Sequence, residues 1–178
     1  MTTRRPGQDT SGKADTSPAL HPCPYPVAQL VPQAPPMILI DAVVGWHDAG
    51  LVAALEVRPD GPFFEAGKGV AGDVALGGMA QACAAFVGAQ AREAGLPVRI
   101  GFLLGTRAFT ASVPWYLAGE AVEVAVTLTF RDEEMAVFDC RARGAAGGVA
   151  AAALTVYQPL DLASLLAAQG ISMEGAKS

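Results

Sequence analysis

One long apolar segment near the middle of the chain constrains the fold more than any other feature. The sequence predicts a helix from about Asp73 to Gly95, and its first four turns are almost entirely apolar. A helix that is apolar on every side is buried on every side. The same helix contains the adjacent glycines Gly77 and Gly78, although glycine costs about 1 kcal/mol relative to alanine in a helix interior. The rest of the chain must therefore wrap this helix, and the glycine pair needs a reason.

Strand-like segments before and after the helix supply that wrapping. Residues 37–59 indicate a hairpin, with a turn at "HDAG". Four further strand-like segments, separated by turn signals, follow the helix: "VRIGFLLGTRAFTA", "EAVEVAVTLTFRD", "MAVFDCRARG" and "GVAAAALTVYQP". Residues 121–130 alternate with the period of two that is typical of a sheet with two unlike faces. The glycine-rich segment "DGPFFEAGKGVAG" is predicted to be a loop without regular structure. The pattern predicts an α+β fold, in which an antiparallel six-stranded sheet wraps one long central helix inserted after the second strand.

Composition limits the domain count and the kinds of partner. A chain of 178 residues that is 52% hydrophobic and 16% charged predicts one domain with a sizeable core. We expect a disordered tail over residues 1–24, the folded domain over residues 25–160, and a short C-terminal helix and tail over residues 161–178. The net charge of −5 and the lack of a basic run argue against nucleic acid as a partner.

The number of cysteines and the pattern of apolar segments indicate the cellular compartment of the protein. The three cysteines, Cys23, Cys83 and Cys140, are odd in number and widely spaced, which fits neither a disulfide framework nor a zinc site. No apolar run follows the N-terminal arginines, and the longer apolar runs are interrupted, so neither a signal peptide nor a membrane span is expected. We therefore expect a cytoplasmic protein without a metal or a cofactor.

Four motifs resemble a known family of enzymes. The segments "GDVALGGMAQACAAF", "RIGFLLGTRAF", "VFDCRAR" and "LTVYQP" are similar to the 3-hydroxyacyl-acyl-carrier-protein dehydratases, in the branch found in aryl polyene pigment clusters. The resemblance covers roughly residues 26–160. It implies a hotdog fold, an acyl thioester on an acyl carrier protein as substrate, and a lyase reaction in fatty acid, polyketide or polyene biosynthesis. It also implies a homodimer, or a heterodimer with a catalytic hotdog paralogue.

The two catalytic groups that the resemblance implies are missing. The family takes a histidine from the loop before the helix and a carboxylate from the helix, two residues before the methionine of "MAQ". In this chain the carboxylate position is Gly77, and the histidine position is Lys68, or Gly67 in a second registration. The only histidines are His21 and His47, far upstream. Whether the chain is an enzyme is therefore left open by its sequence.

Three charged residues near the helix start are candidate replacements. Asp73 precedes Gly77 by four residues and therefore lies on the same helix face, where it could serve as a relocated carboxylate or cap the helix. Lys68 could donate a proton, and Glu65 could act as a base, or both could be ordinary solvated loop residues. We expect His47 to lie at the surface and Cys83 in the core.

The helix start is also the predicted binding region. By the family resemblance, the substrate-binding residues are Gly69, Val70, Gly72, Gly77, Gly78 and Gln81. The amides between Gly69 and Gly72 would polarise a thioester carbonyl. The glycine pair would open space for an acyl chain, or would permit tight packing against a neighbouring element. For docking of an acidic carrier protein, the candidate residues are Arg92, Arg99 and Arg107.

These observations lead to three hypotheses of function. The first is a dehydratase-like subunit without its own catalytic pair, which dimerises through a sheet edge and assists a catalytic paralogue. The second is an active dehydratase or acyl thioesterase that uses Asp73 or Glu65. The third is a noncatalytic acyl-binding or regulatory module.

Overall fold

A six-stranded antiparallel sheet and one long helix form the body of the protein. The computed structural model describes residues 18–169. The sheet has the order β1-β2-β7-β8-β9-β5, and a second sheet of three short strands has the order β3-β4-β6. Numbered along the chain, the elements are β1 (Ala42–His47), β2 (Gly50–Glu56), β3 (Phe64–Glu65), β4 (Gly69–Ala71), α1 (Ala75–Glu93), β5 (Phe102–Ala111), β6 (Trp115–Tyr116), β7 (Ala121–Arg131), β8 (Met135–Gly144), β9 (Val149–Tyr157) and α2 (Leu162–Ala168). The predicted fold is confirmed.

The helix α1 is the centre of the core. A 3-10 turn, Gly72–Val74, leads into it, and Met79, Cys83 and Phe86 on it are fully buried. The ring of Phe86 meets Phe138 of β8 edge to face, with 5.7 Å between centroids. Residues 72–93 are long and apolar enough to cross a membrane, with a mean hydropathy of 1.3, but 56% of the apolar window is buried inside the protein. A buried core helix also meets this criterion of length and hydropathy.

Alternation along the strands places one face of the sheet against this helix. In β8 every second residue is buried, from Ala136 to Gly144. Val122, Val124 and Val126 of β7 are buried in the same way, whereas Glu123 between them is exposed. This is the period-two pattern from which the sheet was predicted.

The second sheet corrects the prediction of an irregular loop before the helix. That segment contains β3 and β4, and β4 pairs with β6, which lies between β5 and β7 in the chain. Val70 is opposite Tyr116, and Ala71 is opposite Trp115. Strands of two or three residues are too short to show a periodicity, and this pairing is set by tertiary contacts.

The first strand of the hairpin begins later than predicted, because the chain before it is bound to the helix. The amide of Leu39 donates to Oε1 of Gln81 at 2.7 Å, and Nε2 of Gln81 donates to the carbonyl oxygen of Met37 at 2.6 Å. Residues 37–39 therefore run across α1 instead of extending β1. Among the amide and charged side chains in the described part of the chain, Gln81 is the only buried one, with 6% of its surface exposed.

The ends of the domain also differ from the prediction. Residues 18–24 of the expected tail belong to the fold, since the backbones of His21 and Trp46 exchange two hydrogen bonds of 2.7 and 3.0 Å. The predicted C-terminal helix is α2, capped by Asp161, whose carboxylate accepts the Ser164 amide at 2.9 Å. The predicted tails over residues 1–17 and 170–178 lie outside the described residues.

We expect two glycines of α1 to differ sharply in their tolerance of alanine. A Cβ at Gly88 would collide with the carbonyl oxygen of Leu30, whereas a Cβ at Gly77 would lie 2.8 Å from the flexible Cδ1 of Leu39. Overpacking against fixed backbone costs about 1–3 kcal/mol or more, which outweighs the helix propensity gained. Gly88→Ala should lower the free energy of unfolding by at least this amount in urea titrations. Gly77→Ala, the matched control, should stay within about 1 kcal/mol of wild type, and equal losses would contradict the packing described.

Candidate functional site

Two glycines before the helix allow the backbone around the small sheet to pack closely. A Cβ at Gly69 would collide with the carbonyl oxygen of Tyr116, and a Cβ at Gly72 with that of Val113. Gly69 also has a φ of +113°, which side chains rarely adopt. The amide of Gly72 donates to the carbonyl oxygen of Pro114 at 2.9 Å. This amide is therefore occupied and does not polarise a thioester carbonyl, which corrects that part of the prediction.

Lys68 and Glu65 are paired with each other at the surface. The ammonium lies 2.8 Å from the Glu65 carboxylate and 4.9 Å from the centroid of the Trp115 ring. More than half of each charged side chain is exposed, at 55% and 54%. An exposed pair of this kind contributes about 0–1 kcal/mol. Neither side chain is desolvated, so the surroundings give Lys68 none of the burial that would make it a base.

Asp73 stands apart from that pair. It is exposed in the 3-10 turn, at the edge of a shallow depression formed with Phe109 and residues 111–114. Within residues 18–169, its carboxylate accepts no hydrogen bond and lies in no ion pair. The N-cap of α1 is Val74, without a side-chain cap bond. The helix-cap interpretation of Asp73 is therefore wrong, and the structure gives this carboxylate no acid or base partner.

The position of the expected helix carboxylate, Gly77, lies against a leucine side chain. A side chain at Gly77 would meet Leu39, which Gln81 holds in place through the Leu39 amide. At Gly78 a Cβ would lie 3.2 Å from Leu55 of β2. Tight packing thus accounts for the glycine pair. The predicted role of Gln81 in substrate binding is also corrected, because both ends of its amide are bonded to the backbone.

The two histidines lie near the other end of the helix. His21 and His47 line a depression with Trp46 and with Glu93, the last residue of α1. Nδ1 of His47 accepts the amide of Ala49 at 3.2 Å. At a rise of 1.5 Å per residue, Glu93 is about 27 Å along the helix from its first residue. No imidazole is therefore present at the helix start.

The cysteines are structural. Cys83 and Cys140 are buried with their sulfur atoms 3.6 Å apart. Burial raises the pKa of the Cys83 thiol well above its usual value, which disfavours the nucleophilic thiolate. In the part of the chain that the structure describes, no three potential ligands are grouped as a metal site would require.

A cleft at the C-terminal end of α1 is lined by two arginines, and only one of them, Arg99, was predicted from the sequence. Arg99 and Arg131 line a cleft of about 570 Å³. Burial, with repulsion from Arg99, lowers the pKa of Arg131. Their hydrogen-bond partners are neutral: Arg131 donates to Gln90 at 2.6 Å, and Arg99 to Gln158 at 3.2 Å. Arg131 was missed because it is distant from Arg99 in sequence and close to it only in the folded sheet.

Three carboxylates, Asp132, Glu133 and Glu134, also line this cleft, and two of them are bound to backbone amides. Asp132 accepts the amides of Glu134 and Met135, which lowers its pKa, and Glu134 accepts the amide of Leu160. Of the other predicted docking residues, Arg92 donates to the carbonyl oxygen of Gln29 at 3.1 Å. The two guanidinium groups of the cleft therefore have no counterion within 4.0 Å among the described residues.

One edge of the large sheet is open and apolar. The β1 edge is partly covered by the chain at His21, whereas β5 forms the opposite edge with exposed side chains on both faces. The exposed apolar residues on and just before β5 are Ile100, Phe102, Leu103 and Leu104. A continuous apolar edge of this kind is normally covered by another chain.

Comparisons with known proteins agree with this fold. The protein resembles a chain of the dehydratase heterocomplex ApeI:P from Xenorhabdus doucetiae, with 27% identity, a TM-score of 0.75, and coverage of 82% of this chain and 97% of that one. A hypothetical thioesterase with coenzyme A from Streptococcus pneumoniae TIGR4 is 12% identical, with a TM-score of 0.53 over 66% of this chain and 84% of that one. The PaaI protein of Escherichia coli is 13% identical, with a TM-score of 0.51 over 65% and 80%.

The last two similarities show the fold alone, and together with the first they confirm the hotdog arrangement. No curated protein sequence gave a match. The family model described as ApeP-like, ApeP dehydratase, matches residues 25–167. Since this match spans most of the 178 residues and agrees with the resemblance seen in the motifs, the chain belongs to the ApeP-like dehydratase family.

Proposed function

We propose that this protein is a noncatalytic subunit of a dehydratase that acts on 3-hydroxyacyl thioesters. The observation that carries the proposal is a helix start without the expected pair: the carboxylate position is Gly77, which lies against Leu39, and the histidine position is the exposed Lys68. Dehydration needs one group to remove the α-proton and another to protonate the departing hydroxyl. A catalytic hotdog paralogue would supply both groups. The heterocomplex of the Xenorhabdus relative supports an assembly of this kind.

The open β5 edge is the proposed contact with the paralogue. Its unpaired backbone groups would extend the sheet into the partner, and its exposed leucines would be buried there. A row of half-buried small residues on α1, Ala80, Ala84 and Val87, borders the same side. Together they form a surface that continues from the helix to the edge strand.

The cleft at Arg99 and Arg131 is the proposed contact with an acyl carrier protein. The guanidinium groups of Arg99 and Arg131 have neutral partners and would bind acidic side chains of the carrier protein, while the three carboxylates of the cleft would oppose this attraction. Because Arg99 lies three residues before β5, this cleft adjoins the proposed subunit contact. Participation in aryl polyene biosynthesis in the cytoplasm belongs to the same proposal.

The proposal predicts that activity depends on the paralogue. A hotdog paralogue that carries both the histidine and the carboxylate should be assayed alone and with this protein, on a 3-hydroxyacyl carrier-protein thioester. We expect this protein alone to give no dehydration above background, and the mixture to be faster than the paralogue alone. Asp73→Asn should leave the rate of the mixture unchanged.

A relocated active site would give the opposite result. Dehydration or thioester hydrolysis by the isolated chain, abolished by Asp73→Asn or by Glu65→Gln, would overturn the proposal in favour of an independent enzyme. Hydrolysis should be followed separately by thiol release, since a thioesterase needs a carboxylate to activate water but no histidine.

The β5 contact can be tested by introducing a charge. Leu104 is 57% exposed on β5, and Leu160 is 60% exposed outside the sheet. Leu104→Lys should weaken association with the paralogue at least about tenfold, because an unpaired ammonium would be desolvated in the contact. Leu160→Lys is the matched control and should associate like wild type in analytical ultracentrifugation. Unchanged association of Leu104→Lys, with a normal melting temperature, would exclude this edge.

A further inference from the structure

The open edge strand β5 carries a single charged residue, Arg107. The rest of Phe102–Ala111 is uncharged, and the Arg107 side chain is exposed. The preceding residue, Thr106, is opposite Leu154 of β9, which is fully buried in the core. Arg107 is opposite Ala153, the next residue of β9, and successive side chains of a strand point to opposite faces. Arg107 therefore lies on the face of the sheet away from α1.

In the described part of the chain, no carboxylate forms an ion pair with Arg107. Asp139 of β8 lies in the same cross-strand row, but Ala153 of β9 separates the two residues. With about 4.8 Å between neighbouring strands, the Cα atoms of Arg107 and Asp139 are about 10 Å apart. The charge of Arg107 is therefore available to a partner at the edge of the sheet.

Two irregularities in β5 limit where another strand can pair with it. The register between β5 and β9 shifts after Leu103 and again after Arg107. Ala108, inside the second shift, has a φ of 50°, which is in the left-handed region that residues other than glycine rarely adopt. A bulge leaves a residue unpaired and bends its strand. The regular stretch between the two shifts is 105–107, and we expect a partner strand to be centred there.

Pairing of two copies of this chain would bring two Arg107 side chains together. Two identical edge strands that continue one sheet are related by a two-fold axis and run antiparallel. With that axis at the middle of residues 105–107, the two Arg107 Cα atoms would be about 8 Å apart, given about 3.4 Å per residue and about 4.8 Å between strands. Both side chains would lie on the same face. Like charges that face each other across a strand pair destabilise it.

We propose that Arg107 selects the partner of this edge: it opposes pairing with a second copy of this chain and binds a carboxylate on the edge strand of an unlike hotdog subunit. The inference rests on the β5 contact of the proposed function and adds the chemistry of the partner. A guanidinium–carboxylate pair is a strong, charge-assisted contact. Attraction to the unlike chain and repulsion of the like chain act together, and both favour a heterodimer over a homodimer.

Charge exchange between two copies of this chain tests the repulsion without the paralogue. Wild type, Arg107→Glu and an equimolar mixture of the two should be compared by sedimentation equilibrium. In the mixture the two charges at this position are opposite, so it should associate at least about fivefold more tightly than either protein alone, the equivalent of about 1 kcal/mol. The gain should shrink in about 1 M salt, where the screening length is about 3 Å.

Arg141→Glu is the matched control for this experiment. Arg141 is exposed on β8, and its cross-strand neighbour Ala151 of β9 lies on the same face as Ala153. The substitution therefore makes the same change of charge on the same face, but β9 separates it from the β5 edge. A mixture of wild type with Arg141→Glu should show no gain in association.

The attraction is measured on the complex with the paralogue. Arg107→Glu should weaken that association at least about tenfold, because it replaces the attraction by a repulsion. Arg107→Gln should weaken it less, since it removes the attraction alone. Arg141→Glu should bind the paralogue like wild type, and thermal melts of all three variants should confirm that they fold.

Three results would overturn the inference. If the mixture of wild type and Arg107→Glu associates no more tightly than either protein alone, like charges do not meet at this edge. If Arg107→Glu binds the paralogue as tightly as wild type while Leu104→Lys binds it more weakly, the edge is the contact but the partner offers no carboxylate to Arg107. If neither variant changes the association with the paralogue, the β5 contact of the proposed function fails together with the inference.

Discussion

The packing of the chain before β1 against α1 is the constraint on which the rest of the structure depends. The carbonyl oxygen of Leu30 lies against Gly88, Leu39 lies against Gly77, and Gln81 binds the backbone on both sides of the intervening residue. These contacts cover the side of the helix that the sheet leaves open. They also explain why a helix of this kind tolerates so many glycines, since the helix must admit a backbone and a leucine at close range.

The same packing decides what the helix start can do chemically. Acid–base catalysis needs two groups of suitable pKa within reach of one substrate. Here the carboxylate position is Gly77, which lies against Leu39, the Lys68–Glu65 pair is solvated, and Asp73 has no partner among residues 18–169. The fold around the positions of the missing catalytic pair is retained. This is the expected result for a subunit that binds substrate and assembles with a catalytic partner.

Features with a repeating pattern could be predicted from the sequence, and features made by single tertiary contacts could not. The strand β8 was placed to the residue as a strand-like segment between turn signals, β7 was placed from its alternation, and α1 was placed because its apolar run is long. The pairing of β4 with β6 joins segments of two or three residues, too short for a pattern. The absence of the catalytic pair followed from residue identity alone, but the role of Gln81 required its partners, Met37 and Leu39, to be seen.

Two titratable groups, Tyr116 and Arg131, have pKa values shifted by their surroundings. Shifted pKa values arise where burial or neighbouring charge acts on a titratable group, and such groups are common at functional sites. Burial raises the pKa of Tyr116, which lies beside the start of α1, and lowers that of Arg131, which lies near the other end of the helix. Neither group forms an acid–base pair: the Tyr116 hydroxyl makes no hydrogen bond to a described residue, and Arg131 donates to Gln90. Without a paired acid and base, the described part of the chain offers a fold and contact surfaces, which is what the proposed subunit role requires.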